Sequence, residues 1–172
     1  MPDDPKGEGF KAIKKAMNRI ENASDMEAKL IQALYTLYDK DTYPDAKRRD
    51  QAYLAEMRKL NRDYPNDPDI AALYASSYMS IQRWNYWDDQ GEPISETLAV
   101  AEALEHIMSK DLSHPGVLHL HIHLIEASAE PERALVAADN LERTIPIVGH
   151  VVHMPSHICL LYTSPSPRDW MV

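Results

Sequence analysis

The sequence predicts an all-α protein of stacked helical hairpins, an α-solenoid. In one segment after another, large apolar residues recur at spacings of three and four, which is typical of helices that bury one face. Turns that contain proline separate these segments, and no segment alternates apolar and polar residues as a half-buried strand does. Short helices joined by short turns pack on their neighbours as antiparallel pairs.

Two helices are predicted in the first half of the chain, over residues 25–39 and residues 45–63. In each of them the apolar side chains line up as one stripe, which we expect to be buried. The stripes consist of Leu30, Ile31, Leu34, Leu37 and Tyr38 in the first helix and of Tyr53, Leu54, Met57 and Leu60 in the second.

The segment YPNDPD, residues 64–69, predicts the end of one helix and the start of the next. Asp67 suits the N-cap position, and Pro68 suits the first helical position, where its missing N–H is not needed. The apolar stripe of this third helix continues through Ile70, Leu73, Tyr74, Ser77 and Ile81. Further helices are predicted over residues 94–108, 115–127 and 131–143.

A polar and aromatic loop, RWNYWDDQGEP, covers residues 83–93. Its aromatic residues Trp84, Tyr86 and Trp87 have two interpretations. They could form a lid over a ligand, because aromatic side chains offer a large contact area. Aromatic residues more often dock a loop onto neighbouring helices, and this is the interpretation that we favour.

Composition excludes several classes of function. The 172 residues, 44% of them hydrophobic, suffice for one domain with a core. The net charge of −9 repels phosphate backbones and anionic membrane surfaces, so neither nucleic acid nor a membrane is expected as a partner. No apolar run is long enough to span a bilayer, and the first residues lack the features of a signal peptide, so we expect a cytoplasmic protein.

Histidines supply the strongest chemical signal, since seven of the eight lie between positions 114 and 157. On the helix predicted over residues 115–127, His119, His123 and Glu126 share one face, whereas His121 points to the opposite side. Histidines four positions apart on a helix can bind one metal ion together. The glutamate that follows the first histidine in metalloprotease helices is missing, which excludes that activity.

A second group of histidines follows at His150, His153 and His157, which also share a face if the segment is helical. Because hairpins stack, we expect the two groups to face each other across the helix between them. Imidazole and carboxylate ligands suit a divalent metal, zinc first and then iron, manganese or copper. Thiolate ligation is not expected, because the only cysteine, Cys159, falls in the C-terminal segment of residues 159–172 that we expect to be non-native.

Two other interpretations of these histidines stay open. They could form a structural network of hydrogen bonds, and His114, just before Pro115, is placed to cap a helix. They could also act in acid–base catalysis without a metal. Ser156 is not expected to be a nucleophile, because no strand–turn–helix elbow surrounds it.

Small residues among aromatic ones, Ala72, Ala75 and Ser76, resemble the close-packed helix of a tetratricopeptide repeat. The run of residues 73–158 is similar to a family of bacterial tetratricopeptide-repeat proteins through its motifs LYA, WNYW, GEP, HPG, HLHIHLIE, PERAL, AAD and GHVVHMPSHI. The chain departs from the family pattern at Arg83, Leu120, His121 and Cys159. The resemblance implies stacked repeats and a longer natural protein, but no particular activity.

The segment CLLYTSPSPRD, residues 159–169, resembles the translation of a transposon-end sequencing adapter. We therefore expect residues 1–158 to be an incomplete helical-repeat domain and residues 159–172 to be a non-native tail.

Three functional hypotheses follow from the sequence. The first is a tetratricopeptide-like scaffold with a histidine-rich metal site that uses His119, His123, Glu126, His150, His153 and His157. The second is a scaffold for a protein or peptide partner, in which the histidines are structural. The third is a metal-dependent hydrolase or oxygenase, which would need an open coordination position and a base.

Overall fold

The computed structural model describes residue 4, residues 6–144 and residues 147–162. Within these residues the protein is helical and forms no strand, which confirms the predicted all-α class. From residue 163 onward, the predicted non-native tail lies outside the described residues. The helices are α1 (Glu8–Met17), α2 (Asp25–Thr36), α3 (Ala46–Asp63), α4 (Pro68–Gln82), α5 (Thr97–Met108), α6 (Pro115–Ile125), α7 (Leu135–Thr144), α8 (Gly149–His153) and α9 (Pro155–Tyr162).

The chain folds as two compact units, Met1–Arg83 and Trp84–Val172. In the first unit each helix from α1 to α4 packs on the next one. The predicted stripe of α3 is buried along its whole length, and α4 contributes the largest share of the remaining core. The core side chains of α3 and α4 are Tyr53, Leu54, Met57, Leu60, Ile70, Ala71, Tyr74, Ala75, Tyr78 and Met79.

The predicted stripe of α2 is only half-buried, and Ala33 is the residue of this helix that is fully covered. The neighbouring helix α1, which the sequence analysis did not assign, has 10 residues and leaves grooves open along α2. Phe10 and Tyr35 line one of these grooves, and Leu30 and Ile31 line the other.

Local capping chemistry fixes where these helices begin. Ser24 and Glu27 form a capping box at the start of α2, because each side chain bonds the backbone N–H of the other residue. At the start of α4 the Asp67 carboxylate accepts the N–H of Ile70 at 3.0 Å, and Pro68 takes the first helical position, as predicted.

In the second unit, α5 packs on α6, α6 on α7, and α7 on α8 and α9. Helix α6 also contacts α9 directly. The core of this unit is aliphatic, and its fully covered side chains include Val100, Leu104, Val117, Leu118, Ile122, Leu124, Ile125, Leu141, Met154 and Ile158.

The aromatic loop docks onto this unit through two of its residues. Tyr86 is buried, and its carbonyl accepts the hydroxyl of Thr97 at 2.9 Å. The Trp87 indole N–H donates to the carbonyl of Leu124 in α6 at 2.6 Å. Gly91 has a positive φ of 77°, and its backbone lies so close to Ala129 that a Cβ atom would clash there.

Two helices of this unit begin differently from the prediction. The helix predicted over residues 131–143 is a 3-10 turn, Pro131–Ala134, that leads into α7, which is a common way for an α-helix to begin. The helix predicted from residue 94 begins at Thr97, because Ser95 adopts a left-handed backbone conformation with φ 56°.

None of the described helices combines the length and the apolar composition that crossing a bilayer requires.

Candidate metal centre

Helix α6 positions the first group of histidines. His114 caps this helix, as predicted, because its Nδ1 accepts the N–H of Val117 at 3.1 Å. His119 and His123 follow one turn apart on the side away from the buried aliphatic side chains, and Glu126 ends the helix as its C-cap. These three side chains are half-buried and project from one face.

Helices α8 and α9 position the second group. The buried residues Val151, Met154 and Ile158 anchor this segment, so His150, His153 and His157 lie on its other side. Met154 joins the two short helices, and its carbonyl accepts the N–H of His157 at 3.1 Å. The segment therefore keeps the helical spacing on which the predicted shared face depends.

The fold brings the two groups into contact. The Nε2 atoms of His119 and His150 lie 3.1 Å apart. One ligand atom from each of His119, His123 and His150 lies within 4.8 Å of the others, which is a geometry able to hold a metal ion. Two imidazole nitrogens bound to one tetrahedral zinc ion lie about 3.3 Å apart, since each bond is about 2.0–2.1 Å long. The 3.1 Å between His119 and His150 is close to this separation.

Glu126 joins the two groups with its two carboxylate oxygens. Its Oε1 lies 3.0 Å from Nδ1 of His123 and its Oε2 lies 2.6 Å from Nδ1 of His157. An ionised carboxylate only accepts hydrogen bonds, so both Nδ1 atoms carry the hydrogen. The Nε2 atom of each ring is then left with a lone pair when the ring is neutral. Together with Glu126, His123 and His157 form a second set of atoms close enough to share an ion.

His153 extends the cluster along α8 and α9. Its Nε2 lies 3.2 Å from Nε2 of His157, and its ring centroid lies 5.6 Å from that of His150. All six residues that the sequence analysis selected as metal ligands are thus in one continuous cluster, which we call the histidine cluster: His119, His123, Glu126, His150, His153 and His157.

Burial and mutual repulsion keep the cluster from becoming fully charged. The pKa of His119 is lowered to about 4, mainly by burial and also by the positive charges that His123, His150 and His157 carry when protonated. His119 is therefore neutral near pH 7. Burial on its own would raise the pKa of Glu126, but the hydrogen bonds from His123 and His157 outweigh it, so this pKa is lowered.

Of the three aromatic residues selected in the loop, only Trp84 lies at the histidine cluster. Its ring meets that of His123 edge-on, with centroids 5.0 Å apart, and 63% of the residue is exposed. The backbone of Trp84 is left-handed, with φ 73°, a conformation that non-glycine residues seldom adopt. Tyr86 and Trp87 point into the helices on which the loop docks.

His121 points away from the histidine cluster, as predicted, and is fully buried. Its Nε2 donates to Oε1 of Glu105 at 3.1 Å, and Arg133 donates to the same oxygen at 2.8 Å. The hydrogen bond from His121 lowers the pKa of Glu105, against the effect of burial, and Arg133 lowers it further. Glu105 and Arg133 could not be selected from the sequence, because these contacts span 16 and 28 positions.

Fold and site together define an all-α protein with a histidine-rich cluster whose geometry is able to hold a metal ion. No protein-family model, curated protein or solved structure matches the chain.

Proposed function

We propose that the histidine cluster binds a divalent metal ion through the Nε2 atoms of His119, His123 and His150. The observation that carries the proposal is the convergence of three imidazoles, two from α6 and one from α8, with ligand atoms within 4.8 Å of one another. His119 and His150 have Nε2 atoms 3.1 Å apart, close to the separation of two ligands on one ion.

Hydrogen-bond chemistry favours a metal over a purely structural network. A structural histidine gains most from a carboxylate or carbonyl acceptor, as His121 has in Glu105. In the histidine cluster, by contrast, Nε2 faces Nε2 both in the pair His119 and His150 and in the pair His153 and His157. Two such nitrogens share at most one hydrogen between neutral rings, whereas a metal ion would use both lone pairs.

Glu126 acts in this proposal as an acceptor that orients ligands. The 2.6 Å between its Oε2 and Nδ1 of His157 is short for a hydrogen bond from nitrogen to a charged oxygen, whose usual range begins at about 2.7 Å. If these two atoms instead bound one ion at right angles to each other, they would lie about 3 Å apart, given bonds of about 2.1 Å. The shorter distance therefore indicates a hydrogen bond. By accepting the Nδ1 hydrogen of His123, Glu126 turns the Nε2 lone pair of that ring toward the ion, a common arrangement around metal-binding histidines, and it holds the ring of His157 through its other oxygen.

Zinc is the first candidate metal. Neutral imidazole ligands suit zinc, copper, iron and nickel, and the lowered pKa of His119 keeps that ring neutral near pH 7. Iron, manganese and copper remain the alternatives to zinc, in keeping with a ligand set of imidazoles and one nearby carboxylate.

For the scaffold, we propose repeats of the tetratricopeptide type. Helices that pack on their sequence neighbours within each unit support this proposal. So does the buried Ala75, one of the small residues through which α4 resembles a repeat helix. A protein or peptide would bind to the helical surfaces of such a scaffold.

Metal-dependent hydrolysis is a second candidate function. Three protein ligands leave one position of a tetrahedral ion to water or substrate, and His150 is exposed, so solvent reaches this side of the site. Zinc-dependent hydrolysis of an activated ester by the unmodified protein, lost in His119→Ala, would support it; rates equal to those of free zinc would exclude it.

The proposed function is tested by zinc-binding calorimetry on the full chain. The variants His119→Ala, His123→Ala and His150→Ala should each weaken the tightest binding event by at least tenfold. His106→Ala is the matched control, because it also removes one imidazole from this unit but lies exposed on α5, outside the cluster. Absence of zinc binding by the unmodified protein, or equal binding by all four variants, would contradict the proposal.

A further inference from the structure

We infer that the histidine cluster holds a second divalent metal ion, bound by His153 and His157, with lower affinity than the first ion. This inference rests on the proposed function, because it assumes that His119, His123 and His150 bind the first ion. It adds a second site and assigns ligands to each ion.

The number of imidazoles is the first observation. Zinc takes four ligands, and a site that uses His119, His123 and His150 leaves two imidazoles of the cluster without a role. Those two are paired: Nε2 of His153 and Nε2 of His157 lie 3.2 Å apart, nearly the same as the 3.1 Å between His119 and His150. The cluster therefore contains two imidazole pairs at the separation of metal ligands.

The orientation of His157 is the second observation. Because Oε2 of Glu126 accepts the Nδ1 hydrogen of His157, the Nε2 lone pair of this ring points toward His153. Glu126 holds His123 in the same way through its other oxygen. One carboxylate thus orients a ligand of each ion, which places the two sites side by side.

The two sites differ in ligand number and exposure, so their affinities should differ. The second ion would have two protein ligands and water in its other positions, because His153 is exposed. It would also be repelled by the first ion, since the rings of His150 and His153 have centroids only 5.6 Å apart. We therefore expect the three-imidazole site to fill first.

A zinc titration of the full chain, with metal analysis of the saturated protein, tests the inference. The unmodified protein and His106→Ala should bind two zinc ions per chain in two phases. His153→Ala and His157→Ala should each bind one zinc ion, with the weaker phase missing and the tighter phase reduced less than tenfold. Circular dichroism of each variant confirms that the helices are retained.

The outcomes separate this inference from the proposed function. One zinc ion per chain in the unmodified protein, or two in His153→Ala, would overturn the second site and leave the first one standing. Failure of the unmodified protein to bind zinc would overturn the proposed function itself. Loss of both phases in His153→Ala, with the helices retained, would mean that all the histidines serve one ion and would also overturn the inference.

Discussion

His119 and His150 contact each other through their Nε2 atoms at 3.1 Å, although 31 positions separate them along the chain. Helix α7 supports this contact, because it packs on α6 and also on α8 and α9, and α6 itself contacts α9. The histidine cluster is therefore a product of tertiary packing, and its chemistry depends on groups that hold each ring in place.

Glu126→Gln should weaken the tightest zinc-binding event by about 10- to 100-fold, the usual effect of losing a carboxylate that orients a ligand. A glutamine amide has one oxygen in place of the two that accept Nδ1 hydrogens from His123 and His157. Glu130→Gln, an exposed change of the same type just after α6, is the control. Calorimetry measures both, and equal affinity in the two variants would remove Glu126 from the site.

His114→Ala should lower the free energy of unfolding by about 1 kcal/mol, because the N–H of Val117 loses its N-cap acceptor. His114→Asn should recover most of this loss, since asparagine is a preferred N-cap residue. Urea denaturation of the three proteins measures the effect. A loss of the same size in His114→Asn would show that His114 stabilises α6 by some means other than capping.

Glu105 should make stability depend on pH in the acid range. Its folded-state pKa is lowered by His121 and Arg133, so its contribution is present above the unfolded-state pKa of about 4.3 and is lost as the pH falls through the folded-state value. Glu105→Gln should therefore be less stable than the unmodified protein near pH 7, and the difference should shrink on acidification.

Thermal unfolding between pH 7 and pH 3 measures this difference. Glu102→Gln, an exposed change on the same helix, is the control and should follow the unmodified protein closely. A stability difference for Glu105→Gln that stays constant over this range would contradict the assigned role of the carboxylate.

Trp84 should report on metal binding, because its ring lies 5.0 Å from that of His123. Copper(II), which imidazoles bind well, quenches the fluorescence of nearby indoles, so adding it should quench part of the emission of the unmodified protein. Trp84→Phe should lose this quenched part, whereas Trp87→Phe should retain it, because Trp87 points to the carbonyl of Leu124. Quenching of the same size in Trp84→Phe would contradict the placement of the indole.

Features with a local cause could be predicted from the sequence. The start of α4 follows from Asp67 and Pro68, and the start of α6 follows from His114 and Pro115. An N-cap side chain bonds a backbone N–H only two or three residues further on, so the sequence around it is enough to predict the start. The shared face of His119 and His123 follows from helical periodicity alone. The opposite orientation of His121 follows in the same way and is found in the structure.

Features that depend on distant contacts could not be predicted. Nothing near Glu105 in the sequence indicates that His121 and Arg133 share one of its oxygens, because the packing of α5 on α6 decides it. The role of Glu126 depends on which nitrogen of each ring faces the carboxylate, and helical spacing does not fix side-chain torsions.

An ion held between His119 and His150 would act as a removable cross-link. It would bridge two positions about 30 residues apart, with α7 between them in sequence, and it would bind the folded unit in preference to the unfolded chain, in which these rings do not meet. The free energy of unfolding would then rise with the free zinc concentration, by about 2.7 kcal/mol at 100 times the dissociation constant. Chelation would return the unit to its lower stability, so the melting temperature of this protein would depend on the metal content of its surroundings.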